Sequence, residues 1–460
     1  MASTAVEENP SDTSKLRTFI SIMKKFIGVS DLAAVRFSLP SQLLEPTPNL
    51  EYWNYLDAPN AFVAIGTSDD ELDRMLEVLR FWFTTYLKYA KGRPCKPYNS
   101  CLGEFFRCNW ETENNAPLIN HNEHLTSSSS VSLGVPGHGQ AKNSLDNKPV
   151  RVSYITEQTS HHPPISAFYV SCPERGLTAR GFDQISAKFT GTSVKVLPGE
   201  HNLGIFIDIE KRKETYQLLH PEAYLAGFLR GNLTVSVSDT TFITCPETKL
   251  KVILVYFEEG GWLGKSVNKV EGIIFKYDPE NDNKKSIKDV PESDILVRFS
   301  GPWKEKVLFT LGPKPFASHP PEAQHTLIDI TPLNVASKIL PPREQQRPNE
   351  SLTLWGNVTD AIYAKQFSKA TNLKVELEEA QREKARERER TGIPFTPVFF
   401  ENVSGNGGKP DLTAKGLEVL KRAQEGNWNI EDLLADGSGA AAEDAAGAKI
   451  SATASTTGSI

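Results

Sequence analysis

The sequence predicts a mainly β fold with flanking helices (α+β), in which a large antiparallel sheet closes on itself as a barrel. Three observations predict it. Between about Gly103 and Leu311 the chain breaks into short β-rich runs separated by Gly, Pro, Asn and Asp. Ahead of that stretch apolar residues recur at helical spacing, and past Pro342 the chain turns helical again. Many consecutive strands at short spacing favour closure, because a closed sheet has no exposed edge, and a large barrel can enclose a ligand cavity.

Taken in order, a polar leader is followed by Lys15–Ile27, where Leu16, Phe19, Ile20, Met23, Phe26 and Ile27 recur at helical spacing among Lys15, Arg17, Lys24 and Lys25. Gly28 suits the end of that helix. Such a segment packs on a core, lies on a membrane surface or covers a pocket. Pro40 to Pro48 reads as extended. Asp69 to Ala90 reads as one helix opening on Asp69-Asp70-Glu71, with a core-facing stripe of Leu72, Met75, Leu76, Leu79, Trp82, Phe83, Tyr86 and Leu87. The strand runs include Val150–Ile155, Ile165–Val170, Gly204–Ile209, Gly231–Val237, Lys251–Phe257, Val270–Tyr277 and Ile295–Phe299. Asn114 to Lys148, with serines at 127–130, reads as a long loop insertion. Leu373 to Arg390 reads as a charged helix that stops around Gly392 to Pro394, and the Ala/Gly/Ser/Thr-rich end as disordered.

A net charge of −6 over 460 residues gives no case for nucleic-acid binding. The residues from Asn406 on hold five Lys/Arg against eight Asp/Glu, so the body is near neutral and any anion site in it is local. Five cysteines without paired spacing argue against a disulfide framework or a zinc ribbon. No secretory leader and no apolar run of about 20 residues is present, which predicts a cytoplasmic protein with peripheral membrane contact.

Three words carry chemistry. In Glu157-Gln158-Thr159-Ser160-His161-His162-Pro163-Pro164, the prolines keep His162 extended, so the two imidazoles are expected on opposite faces. They are poor partners for one metal and no third ligand follows at zinc spacing, but imidazoles serve as donors to phosphate. In Lys96-Pro97-Tyr98-Asn99-Ser100-Cys101-Leu102-Gly103-Glu104, a short proline-bearing loop lets Lys96 and Asn99 converge on a phosphate or polyol. Lys374, Glu378 and Arg382 fall at i, i+4 and i+8 on one helix face. Solvated ion pairs of that kind are common, and only the company of the other words singles this one out. The G-K-S at 264–266 is no P-loop, since Glu259 stands where the first glycine belongs. No nucleophile constellation is evident, which predicts no enzyme activity, no catalytic residue, no metal and no cofactor.

Together these words resemble a known family. The first is similar to the E-Q-x-S-H-H-P-P signature of the oxysterol-binding-protein-related lipid-transfer proteins, the second to their K-P-x-N-x-x-L-G-E element, and the third to their late charged helix. The order fits as well, from about residue 30 to residue 403. The resemblance implies a barrel enclosing a lipid tunnel, an N-terminal helical lid and a C-terminal helical subdomain. It implies exchange of phosphatidylinositol 4-phosphate for a second lipid, either sterol or phosphatidylserine. Lys96, Asn99, His161, His162, Lys374, Glu378 and Arg382 would hold the head group at the tunnel mouth, and Leu16, Phe19, Ile20, Met23, Phe26 and Ile27 would form the lid. The domain boundaries expected on this footing are a leader and lid at 1–29, a lipid-binding domain at 30–403 and a low-complexity tail at 404–460. The chain resembles the short stand-alone form of the family, monomeric and in transient contact with membranes. A sensor or scaffold that binds the same lipids without moving them, and a phosphatase using His161 or His162, are the competing readings.

Overall fold

The structure is a computed structural model that describes residues 18, 21–32, 41, 44–85, 87–91, 96–121, 148–226, 234–260, 267–404 and 407–434. Leu16, Phe19 and Ile20 of the expected lid, Tyr86, residues 122–147 of the expected insertion, and residues 231–233, 261–266 and 435–460 lie outside them.

The fold is mainly antiparallel β with flanking helices, as the sequence predicts. Two strands, β1 (Leu44–Pro48) and β2 (Lys96–Tyr98), pair in parallel ahead of the main sheet. The main sheet begins with β3 (Phe105–Thr112), β4 (Val150–His161), β5 (Pro164–Cys172) and β6 (Leu177–Asp183). After an excursion through β7 (Ile185–Phe189) and β8 (Val194–Pro198), it resumes with β9 (Ile205–Ile209) and β10 (Glu214–Leu218). A second excursion adds β11 (Ala223–Ala226) and β12 (Thr234–Val237). The sheet then runs through β13 (Thr240–Cys245), β14 (Leu250–Glu259), β15 (Val267–Lys276), β16 (Ile295–Pro302), β17 (Lys306–Leu311) and β18 (His325–Asp329). Twelve strands form one ladder from β3 to β18, and β12-β11-β8-β7 form a separate four-stranded sheet. β3 and β18 are the edges of the described ladder. The β3 edge is met by the chain that follows β18, through bridges Phe105↔Glu350 and Asn109↔Ile339, so its backbone groups are not left as a template for another strand.

The helices ahead of the sheet pack against one of its faces. These are α1 (Asn49–Tyr52), α2 (Pro59–Val63), α3 (Glu71–Thr84) and α4 (Leu87–Lys91). The Asp70 carboxylate caps α3 by accepting from the N–H groups of Leu72 and Asp73. Every residue from Leu72 to Thr84 is buried, so α3 has no solvent face and the predicted one-sided stripe understates its environment. Several of its polar residues are paired within the protein. Arg74 pairs with Glu214 on β10, and Glu77 accepts from Gly66 N, Thr67 Oγ1 and Ser68 N. Trp82 Nε1 donates to Tyr256 on β14 at 2.9 Å. One apolar cluster joins α2 and α3 to strands from β3 through β18. The single helix expected over 69–90 is divided after Thr84. Thr84 and Thr85 turn their hydroxyls back to Phe81 O and Trp82 O at 2.7 Å each, competing with continuation of the helix.

Behind the sheet come α5 (Ser351–Leu354), α6 (Gly356–Tyr363) and the 25-residue α7 (Phe367–Thr391), which ends on Gly392 in the left-handed conformation. The short β19 (Phe400–Glu401) and β20 (Asp411–Leu412) precede α8 (Ala414–Gln424) and α9 (Glu431–Leu434). The expectation of a low-complexity tail from 404 is corrected over residues 407–434. Phe399, Phe400, Leu412, Val419, Leu420, Ile430 and Leu434 pack against Phe105, Ile155, Ile165 and Phe182 on the other face of β3–β6. No helix among the described residues is long and apolar enough to cross a membrane.

Candidate functional site

The first two words are neighbours in the sheet. Phe105 on β3 pairs with Glu157 on β4, and just before β3 two backbone bonds, Gly103 N to Gln158 O at 3.0 Å and Gln158 N to Glu104 O at 2.8 Å, lock the words together. Each word also contains a buried carboxylate that fixes a later part of the chain. Glu104 accepts from Cys101 N at 2.8 Å, Ser351 Oγ at 2.6 Å and Trp355 Nε1 at 3.1 Å. Glu157 accepts from Val398 N and Phe399 N at 2.8 Å each. β2 and the residues after it thereby sit against α5, and the stacked rings of Tyr98 and Trp355, 4.7 Å apart, extend that contact.

β4 ends at His161, His162 occupies the turn to β5, and the His162–Pro163 peptide is cis. The expectation that the imidazoles point to opposite faces is therefore corrected. His162 is outside the alternating strand, and the two rings lie edge to face with centroids 4.7 Å apart. Both histidines are exposed. His161 is held below its ordinary pKa by its partial removal from water and by His162 and Arg388, while a hydrogen bond to the Ser100 backbone and the charge of Glu378 act the other way.

The third word comes from α7. Lys374 is buried and pairs with Glu378 at 3.1 Å. Arg382 stands 3.6 Å from Glu378 and 2.7 Å from Glu379, with its side chain 43% exposed. Lys96 donates to Asn99 Oδ1, and its pKa is pushed down to about 8, first by burial and then by the charge of Lys374, with Glu378 opposing. Lys96, Asn99, Lys374 and Glu378 thus form one electrostatic unit, and His161 joins it through Glu378. The resulting cluster of cations and imidazoles, moderated by one carboxylate, suits an anionic oxygen-rich group.

The sequence reading did not single out Arg388 and Lys384, whose charges act on His161 and Cys101. Nor did it single out Glu104 and Glu157 as anchors. For the two anchors a signal existed, since an acid inside an otherwise strand-like apolar run must be paired if it is buried.

The N-terminal segment lies across two bodies. Met23 is buried with Phe189 on β7 and Val194 on β8, and Phe26 packs there too, while Ile22 packs on the cluster of Tyr98, Trp355 and Leu377. Leu32 N donates to Ala187 O at 2.6 Å, and Ala187 N donates to Asp31 at 2.9 Å. Of the helix expected at 15–27, residues 18 and 21–23 are α-helical and Lys24–Phe26 tightens into a 3-10 turn, after which Ile27 is exposed. Gly28 follows with φ of 91°.

Inside the sheet, Tyr55 donates to Asp183 and stacks on His220 with centroids 5.2 Å apart. Burial pushes the Asp183 carboxyl up to about 7 and His220 down to about 4. The interior is thus aromatic, with a few polar groups disposed to remain neutral.

Comparison with known proteins places this architecture. A family profile described as oxysterol-binding protein matches residues 18–361. The chain is 38% identical to the oxysterol-binding protein-like protein 1 of Schizosaccharomyces pombe, across 91% of this chain and 93% of that protein. Against human oxysterol-binding protein-related protein 11 the identity is 28% over 79% of this chain, which spans only 45% of that longer protein. Among solved structures, the Osh1 ORD domain in complex with ergosterol superposes with a TM-score of 0.63 at 19% identity, covering 93% of this chain and 92% of that one. The Osh3 ORD of Saccharomyces cerevisiae in complex with PI(4)P gives 0.57 at 17%, covering 93% and 97%. At such identities these two likenesses establish the fold.

Proposed function

The chain belongs to the oxysterol-binding protein family, and from that premise we propose that it is a lipid-transfer protein that exchanges a sterol for phosphatidylinositol 4-phosphate through one interior cavity. The observation that carries the reading is the convergence of Lys96, Asn99, Lys374, Glu378 and His161 from three distant stretches of chain into one electrostatic unit. His162 and Arg382 flank that unit and complete the proposed head-group set. The solved relatives bound to ergosterol and to PI(4)P support both ligand classes. An apolar lipid in water exposes surface worth roughly 25 cal/mol per Å², and an enclosed aromatic interior removes that penalty during transit. Residues 21–32, lying between the four-stranded sheet and the helices behind the main sheet, are the proposed lid. Transport then needs no covalent chemistry, since two lipids competing for one cavity exchange by mass action. The protein would work in the cytoplasm, touching organelle membranes peripherally.

The test is transfer between liposomes with purified protein. Donor vesicles carry phosphatidylinositol 4-phosphate, and acceptors carry labelled sterol or labelled phosphatidylserine. Sterol counter-transport accelerated by the phosphoinositide is the expected result. Movement of phosphatidylserine instead would replace the cargo, and extraction of the phosphoinositide with neither cargo moving would make the protein a sensor. His161→Ala with His162→Ala is expected to abolish phosphoinositide extraction while sterol uptake and melting temperature persist; equal loss of both ligands would refute the head-group assignment.

A further inference from the structure

A cluster of nitrogen and oxygen donors built from none of the three words lies where α3 begins. Asp70 caps α3 and Asp73 stands three residues on, so both serve one side of its first turn. The chain that leaves β3 then runs back along α3. Pro117 O accepts from Arg80 Nη1 at 2.6 Å, Ile119 is buried in the main apolar cluster, and His121 reaches Asp73. Residues 117–121 thus cover the two helical turns, about 10 Å, that separate Arg80 from Asp73. His121 Nδ1 lies 3.0 Å from Asp73 Oδ1 and 3.6 Å from Asp70 Oδ1, and the three donor atoms fall within 4.8 Å of one another. Ligands about 2.1 Å from a tetrahedral zinc ion stand roughly 3.4 Å apart, so both separations are those of adjacent ligands.

Charge leads to the same place. The Asp73 side chain is only 3% exposed, and among the described residues neither Asp70 nor Asp73 is ion-paired with a lysine or arginine. The nearest arginines are engaged elsewhere, Arg74 with Glu214 and Arg212 with Asp69. A buried carboxylate is costly unless a cation compensates it, and a neutral imidazole brings no charge. Asp73 is also held in place, accepting from His121 N at 3.0 Å and Ser68 Oγ at 3.4 Å, as ligating carboxylates are.

We propose that Asp70, Asp73 and His121 bind one divalent cation of the zinc type. Two carboxylates cancel its charge, and three protein ligands leave a fourth position open to water. The imidazole favours zinc over calcium and magnesium, which take oxygen ligands. Bound through Nδ1, it keeps its proton on Nε2. The cation ties residues 117–121 to the start of α3. No spacing motif announces such a site, because 48 residues separate Asp73 from His121.

The experiment titrates the full chain, freed of metal by a chelator, with zinc, cobalt or calcium. Calorimetry is expected to show one zinc equivalent more in the wild type than in His121→Ala, and cobalt to give the visible absorption of tetrahedral coordination in the wild type alone. Asp70→Asn keeps an oxygen to cap α3 but removes a charge, so it tests the site with the helix start intact; zinc should bind it about ten- to a hundredfold more weakly. Zinc should raise the melting temperature of the wild type and leave that of His121→Ala unmoved. Equal zinc stoichiometry and affinity in the wild type and both variants refutes the site and makes the bound zinc adventitious. If the wild type binds no zinc while His121→Ala melts lower, the three residues are a hydrogen-bonded latch and the proposal falls. Calcium bound as tightly as zinc overturns the choice of cation.

Discussion

Lys96 shows how a buried cation strains the fold. Its ammonium is held to about 8 against an ordinary 10.5, by burial first and then by Lys374. Between those values the unfolded chain binds more protons than the native one, so this residue makes stability rise with pH across that window. An arriving anion reverses the effect and favours the charged form, so affinity should fall as pH climbs past about 8. Lys96→Met should therefore raise the stability of the ligand-free protein at pH 7, by roughly 1 kcal/mol after allowing for solvent at the site, while weakening phosphoinositide extraction. Thermal melts of the two proteins decide it, and a lower melting temperature in Lys96→Met would contradict the account. At this scale the sequence was informative where a residue type is distinctive in its word, as with Lys96 and the two histidines. It was silent on Arg388, because a charged helix offers many arginines, and only the packing of α7 selects the one whose charge reaches His161.

Among the elements, β3 and β4 do more than contribute to the sheet. They present two loops side by side and carry the acids that hold α5 and residues 398–399 against them. Burial raises the Glu104 carboxyl to about 7 from 4.5, despite three donors that favour the ion. Its raised value means that the stability it contributes is fully present below about 4.5 and is lost as pH rises through 7. Glu104→Gln can still accept from Cys101 N and Trp355 Nε1, so it should keep the fold and flatten the fall in melting temperature between pH 5 and pH 7. Glu104→Ala leaves the buried donors Cys101 N and Trp355 Nε1 unmatched, while Ser351 Oγ keeps Phe105 O, and should destabilise by about 2–4 kcal/mol. Denaturant unfolding of both variants tests this, and equal stability of Ala and Gln would show that the carboxylate anchors nothing. Each of the seven β runs named from the sequence overlaps a strand, with Gly204 and Tyr277 just outside β9 and β15 and residues 231–233 outside the described residues. The division of the helix at Thr84 was less legible, because it depends on hydroxyls turning back on the backbone rather than on a Gly or Pro.

The whole molecule is organised around a buried helix. α3 is buried on every side, with contacts to β10, β14 and β16. Sequence periodicity could rank its apolar residues but not foresee that Asp73, Arg74, Glu77 and Arg80 would be buried as well, since their partners lie on other elements. The same limitation hid the role of residues 407–434. Their composition is polar and short-ranged, and their apolar positions have meaning only against the outer face of β3–β6. Arg107 links the parts, with its guanidinium on Glu350 at 2.8 Å, on Gln345 O at 3.1 Å and on Trp428 O at 2.8 Å. Asn109 reaches Ala423 O at 2.6 Å, and Arg151 reaches Gln424 O at 2.6 Å. A chain ending after Leu434 should therefore melt with the full-length protein. One ending at Ser404 exposes Phe399, Phe400 and the sheet face beneath, and strips Arg107 of one acceptor. Each large apolar side chain so uncovered forfeits about 1.5–3 kcal/mol, which together amounts to much of the stability of an ordinary domain. Melting and size-exclusion profiles of the two truncations separate the cases. If the shorter chain stays folded and monodisperse, residues 407–434 are an appendage rather than part of the body that presents the site.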